Sequence, residues 1–93
     1  MALVSLIVPI YNVAAYVEKC LLSVFEQTYD NIEYIIVDDC GSDNSMDLVR
    51  TLVENTNFAG KTIRIIRHAC NKGVAAARNT GLDAAVGDYI FFM

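Results

Sequence analysis

Leu3-Val4-Ser5-Leu6-Ile7-Val8-Pro9 is apolar at nearly every position, and that density limits the folds open to this chain. A half-exposed strand alternates apolar and polar residues, whereas a strand apolar on successive positions must be covered on both faces, as in a parallel sheet. Pro9, which has no N–H to give a ladder, stops the run. From Val13 onward the period changes: Val17, Cys20, Leu21, Val24 and Thr28 recur at helical spacing, with Glu18, Lys19, Glu26 and Gln27 largely on the other side. The cycle then repeats. Residues 33–37 predict a second strand, and Ser42 or Asp43 can cap a helix carrying Met46, Val49, Leu52 and Val53. Gly60 marks a turn before a third strand over 61–67. A small-residue helix follows, with Ala77, Gly81, Ala84 and Ala85 on one face and Gly87 at its end, and residues 88–93 predict a fourth strand.

Strands alternating with helices of this length require crossover connections, so the expected class is α/β, a parallel sheet with helices on both faces. Ninety-three residues hold one such unit, expected as a single region over 1–93. Hydrophobic residues at 55% and charged ones at 19% exclude a disordered chain. Seven Lys and Arg against eleven Asp and Glu give a net charge of −4, the wrong sign for a nucleic-acid partner. No apolar run approaches the ~20 residues of a membrane span, and no signal-like segment opens the chain, so a cytoplasmic location is expected. Cys20, Cys40 and Cys70 are widely spaced and read as reduced thiols.

Ligands in open parallel sheets sit beyond the carboxyl ends of the strands, which directs attention to three loops. Pro9-Ile10-Tyr11-Asn12 has no glycine, so neither a dinucleotide fingerprint nor a Walker A loop is present. Tyr11 can lie against a planar base; Asn12 can lock the turn or cap the next helix. In Asp38-Asp39-Cys40-Gly41-Ser42-Asp43, adjacent acids repel unless something donates to them. Asp39 is assigned to a ligand and Asp43 to helix capping. Asp38 divides evenly between binding and accepting local backbone N–H groups, and Cys40, with no base nearby, reads as a small turn residue. His68-Ala69-Cys70-Asn71-Lys72-Gly73 precedes the third helix, whose N-terminus with Lys72 and Arg78 can hold a diphosphate. His68 and Cys70 alone do not make a zinc site.

Taken together, Val4-Ser5-Leu6-Ile7-Val8-Pro9-Ile10-Tyr11-Asn12, Ser23-Val24-Phe25-Glu26-Gln27-Thr28-Tyr29, Ile36-Val37-Asp38-Asp39-Cys40-Gly41-Ser42-Asp43-Asn44-Ser45, and Asn71-Lys72-Gly73 through Ala77-Arg78-Asn79-Thr80-Gly81 resemble, in order, the motifs of family 2 inverting glycosyltransferases of the GT-A fold. Gly41-Ser42 stands where Ser-Thr is commoner, a change expected to loosen the turn. The resemblance implies the Rossmann-like, nucleotide-binding half of a nucleotide-diphospho-sugar transferase-like domain, cut short of the rest. It implies Pro9 and Tyr11 beside the base, Asp39 accepting a base N–H, Asn71 and Arg78 toward the nucleotide, and Asp38 as an additional contact. It also implies a DxD motif beginning after Met93 for a divalent Mg or Mn ion, and a catalytic base later still, so no catalytic residue is expected in 1–93. The implied parent transfers a hexosyl or N-acetylhexosaminyl unit from a nucleotide-sugar donor, a UDP-sugar by expectation, with inversion, as in polysaccharide biosynthesis, at the inner membrane face. A homodimer of residues 1–93 through the fourth-strand edge is also expected, and a noncatalytic nucleotide-binding or assembly module is the rival reading. A receiver-like phosphoacceptor domain fares worst, because its acid pair should follow the first strand.

Overall fold

The computed structural model describes residues 2–15, 17–25, 31–55 and 62–93. Strand and helix alternate as the periodicities require: β1 (Val4–Ile10), α1 (Val17–Phe25), β2 (Ile32–Asp38), α2 (Ser45–Asn55), β3 (Thr62–Arg67), α3 (Val74–Ala84) and β4 (Tyr89–Phe92). The strands form one parallel sheet in the order β3-β2-β1-β4. β2 is buried along its whole length because it has a strand on each side and helices over each face.

The dense apolar runs divide cleanly between those faces. Val8, Ile10, Ile32, Tyr34 and Ile36 pack with Val17 and Leu21 of α1 and Val49 of α2. Ile7, Ile35 and Val37 point the other way, onto Ala77 of α3. Each fully buried aliphatic side chain contributes roughly 1.5–3 kcal/mol, so two cores sharing one sheet carry most of the stability. α3 comes close because Gly81 rests directly on Ile7, where a Cβ would collide with the Ile7 side chain.

The element bounds differ from expectation in physically intelligible ways. Ala14 and Ala15 form a turn, Val17 N–H donates to Val13 O at 2.9 Å, and α1 runs from Val17. Thr28, Glu26, Gln27, Gly60 and Lys61 lie outside the described residues. α3 ends at Ala84, before Gly87, because Ala85 turns extended (φ −71, ψ 137). Gly87 has another purpose: a Cβ there would stand 2.8 Å from Ser5 N and 2.9 Å from Leu3 O, so only glycine lets the chain pass this close to β1. Asp88 N–H then donates to Leu3 O at 2.7 Å and starts β4 beside β1.

Candidate functional site

In register, Ile10 of β1 pairs with Asp38 of β2, and Asp38 with Arg67 of β3, so three loops leave the sheet side by side. Each contains one residue with positive φ: Asn12 (50), Cys40 (56) and Gly73 (95). Asn tolerates that conformation; at Cys40 it costs on the order of 1–3 kcal/mol and is held by the surrounding bonds.

Those bonds are specific. Asn12 Oδ1 accepts from Ser42 N–H at 2.8 Å and Asp43 N–H at 3.2 Å, so Asn12 locks the β2–α2 turn across the sheet end instead of capping α1. Gly41 lies against Asn12, where a Cβ would be 2.8 Å from Oδ1, so glycine permits the close approach of this turn to Asn12. Asp43 caps α2 as expected, its Oδ1 accepting from Ser45 N–H at 3.0 Å and Ser45 Oγ at 2.5 Å, while Oδ2 accepts from Ala14 N–H at 3.1 Å. The Ser45 hydroxyl bond, with the Ser45 and Ala14 backbone N–H groups, outweighs desolvation and holds the Asp43 carboxyl below its ordinary value.

Asp39 is the hub. It is 1% exposed, and both oxygens are taken from within the chain. His68 Nδ1 (2.8 Å) and Lys72 N–H (2.9 Å) donate to Oδ1; Asn71 Nδ2 and Gly73 N–H, each at 3.0 Å, donate to Oδ2. Burial pushes this carboxyl up, but the bonds from His68, Lys72 and Gly73 and the attraction of His68 outweigh it and hold the group below its ordinary value. The Lys72 and Gly73 N–H groups just before α3 are thus turned onto a carboxylate of the chain itself.

Pro9, Tyr11, Asp39 and Asn71 line one open groove of about 420 Å³, together with Val13, Gly73, Val74 and Met93. The other two expected site residues stand apart. Asp38 faces a separate cleft of about 160 Å³ with Asn12, Asp43, Arg50 and Arg67. Its Oδ1 accepts from Cys40 N–H at 3.0 Å, the local turn role that competed with binding, and its Oδ2 lies 3.9 Å from Arg67 Nε. Arg78 is exposed and covers the Phe92 ring at 5.7 Å to the centroid. His68 is the residue that motif reasoning undervalued: it follows β3 beside an acid-bearing loop, and a buried imidazole must find partners for both nitrogens. Among the described residues, no group of three or more His, Cys, Asp or Glu could hold a metal ion, and no helix is long and apolar enough to cross a membrane.

Comparison with known proteins puts this arrangement in context. The model of glycosyl transferase family 2 matches residues 5–93. An uncharacterized glycosyltransferase of Haemophilus influenzae is 39% identical over 93 residues, the match spanning 100% of this chain and 36% of that protein. Glycosyltransferase GlyG of Streptococcus pneumoniae is 38% identical over 95% of this chain and 28% of its own length. Among solved structures, the mannosyltransferase PcManGT of Pyrobaculum calidifontis, in complex with GDP-Man and Mn2+, superposes with a TM-score of 0.86 at 31% identity, covering 96% of this chain and 26% of that one. S. aureus TarS 1-349 in complex with UDP-GlcNAc gives a TM-score of 0.80 at 27% identity, over 98% of this chain and 26% of its own. The chain thus spans about a third or a quarter of the proteins it matches.

Proposed function

The chain belongs to glycosyl transferase family 2, and from that membership we propose that residues 1–93 are the N-terminal, nucleotide-binding part of a longer GT-A domain. The whole protein transfers a hexosyl or N-acetylhexosaminyl unit from a nucleotide-sugar donor, UDP-linked in this reading, to an acceptor with inversion. The observation that carries the reading is the convergence of Pro9, Tyr11, Asp39 and Asn71 on one groove beyond the carboxyl ends of the strands. Tyr11, 47% exposed at its rim, offers a face to a base, and Asp39 is assigned to a base N–H, which would share an oxygen already bonded within the chain. Asn71 and Arg78 are assigned to the rest of the nucleotide.

Residues 1–93 bind in this reading and do not catalyse. A general base works best with a pKa near the operating pH, and Asp39, the one carboxylate among the described residues lining this groove, is held low and fully bonded. The purified 93-residue chain is therefore expected to show no nucleotide-sugar turnover above background. A divalent Mg or Mn ion is part of the proposal for the whole protein. The described residues do not fit one, since both oxygens of Asp39 are committed to N–H donors and Asp38 faces another cleft, so no metal role is assigned to them. The free thiols of Cys20, Cys40 and Cys70 support a cytoplasmic setting, with the inner membrane face as the parent's site of work.

Titrating UDP into the full-length protein tests the reading. Asp39→Ala should weaken binding while Asp43→Ala chiefly lowers stability; equal loss from both would remove the role given to Asp39. A second reading, an assembly module, draws on β4, where Tyr89, Phe91, Phe92 and Met93 are exposed on the outermost strand. It expects the 93-residue chain to form a homodimer that Phe91→Lys disrupts in sedimentation, and a wild-type monomer at high micromolar concentration would exclude it.

A further inference from the structure

His68 is 6% exposed at the end of β3, and both of its ring nitrogens are engaged. Nδ1 lies 2.8 Å from Asp39 Oδ1 and Nε2 lies 2.7 Å from Thr80 Oγ1 of α3. An ionised carboxylate only accepts, so Nδ1–H donates to it, and Nε2 shares a hydrogen bond with the Thr80 hydroxyl. Carboxylate, imidazole and hydroxyl stand in the order of a nucleophile relay. Neither His68 nor Thr80 lines the groove that Asp39 lines, however, so this hydroxyl meets no ligand there. What the series of contacts does is hold a carboxylate still.

The four donors on Asp39 are not equivalent. Asn71 and Lys72 belong to an exposed loop, and Gly73 follows them directly. Gly73 is the N-cap of α3, its O accepting from Ala77 N–H at 3.0 Å, and His68 is fastened to the same helix through its side chain. Its anchor, Thr80, immediately precedes Gly81, the residue seated against Ile7. The orientation of the Asp39 carboxylate is thereby referred to the β1–α3 core and not to the loop.

We propose that His68, backed by Thr80, is a positioning residue for nucleotide recognition: it fixes the Asp39 carboxylate, and with it the loop over residues 71–73 that the carboxylate holds, at the wall of the groove where a base N–H would share one of its oxygens. The proposal rests on the reading of Asp39 as the base acceptor. Asparagine and glutamine separate the two halves of the contact, because an Asn amide nitrogen reaches about where Nδ1 stands and a Gln amide about where Nε2 stands. His68→Asn keeps the donor to Asp39 and gives up Thr80; His68→Gln does the reverse.

The test uses the full-length protein, with UDP calorimetry and the amide resonances of Lys72 and Gly73 recorded without nucleotide. His68→Gln should weaken UDP binding about tenfold and shift both amides, whereas His68→Asn should stay within about threefold with the amides nearly unmoved. A histidine that only filled space between β3 and α3 would give the opposite ranking, and that result overturns the proposal, as do equal losses with unmoved amides. Should the His68 variants fail to fold, Thr80→Val decides: shifted amides and weaker binding support positioning, and no change in either overturns it. If wild-type protein binds neither UDP nor GDP, the functional reading falls separately, and the nucleotide-free amide shifts still decide whether His68 holds Asp39.

Discussion

Glu33 and Asp39 stand at opposite ends of β2, and both are carboxylates sealed from water. Glu33, 3% exposed, accepts from the Ser5 hydroxyl, from Val86 N–H at 2.7 Å and from Arg64 Nη2 at 3.0 Å. Burial pushes its carboxyl up, but the bonds from Ser5, Val86 and Arg64 and the guanidinium charge outweigh it and hold it below its ordinary value. Arg64 also donates to Ala84 O, and Gly87 N–H donates to Ser5 Oγ at 2.8 Å, so this end of the sheet is tied to the α3–β4 connection. Asp39 has four partners to the three of Glu33, yet they include two loop N–H groups and no Lys or Arg side chain, and it borders a 420 Å³ groove. Burial and saturation therefore do not separate a structural acid from a binding one. What separates them is that Asp39 lines an open groove and is bonded by no Lys or Arg side chain, whereas Glu33 is paired with the Arg64 guanidinium.

The comparison breaks most visibly if Glu33 is removed. Glu33→Ala leaves Arg64 and the Val86 N–H without their acceptor, and because the Arg64 side chain is 43% exposed it can recover water, so the cost falls at the low end of that for a broken buried pair, about 3 kcal/mol. Urea unfolding should show this loss, and UDP affinity of the folded fraction should be unchanged. A loss of affinity would mean that the two ends of β2 are coupled. Asp39→Ala should do the reverse, weakening UDP binding by about 1–3 kcal/mol, the range for a charge-assisted bond, as read by calorimetry on protein confirmed to be folded.

Acid sharpens the same contrast. The folded-state values of both carboxyls are depressed, so the stability they confer is complete above the ordinary carboxylate range and is lost as pH falls through the depressed values. Wild-type stability should therefore decline on acidification below about pH 4, and Glu33→Gln, which has no such proton to take up, should decline less steeply. A Glu33→Gln curve as steep as wild type would assign the whole acid transition to other groups.

Most of the scaffold was legible because burial on both faces leaves a direct mark on sequence: the dense apolar runs of β1 and β2 admit few other elements. The small-residue face of α3 was legible for the same reason, since Ala77 and Gly81 record how closely the helix approaches. The groove was legible only in part. Pro9 lies inside β1, paired with Val37, and does not stop the strand as expected; Tyr11, Asp39 and Asn71 follow strands, and the sheet brings strand ends together whatever the loops contain. The loops themselves decide where each side chain turns, and that depends on long-range bonds such as Asn12 to Ser42 and His68 to Asp39, which join residues 30 and 29 positions apart and leave no periodicity. Glu33 escaped notice because a single acid inside an apolar strand carries no motif; its partners Arg64 and Val86 come from two other segments.

The smallest expected effect falls on Asp38, next to Asp39 in sequence and directed into a different cleft. Asp38→Asn keeps an oxygen to accept from Cys40 N–H, so the turn should survive. What it gives up is the contact with Arg67, whose side chain is 73% exposed and stands 3.9 Å away; screened pairs of this kind are worth about 0–1 kcal/mol. If the two clefts are functionally separate, UDP affinity should change by less than about twofold, the equivalent of under half a kcal/mol. The neighbouring Asp39→Ala, measured in the same titration, supplies the contrast. A loss for Asp38→Asn comparable to that for Asp39→Ala would mean that the nucleotide reaches across the β2–α2 turn and engages both acids. The boundary between structural and binding carboxylates would then lie between Glu33 and the Asp38-Asp39 pair, and not within the pair.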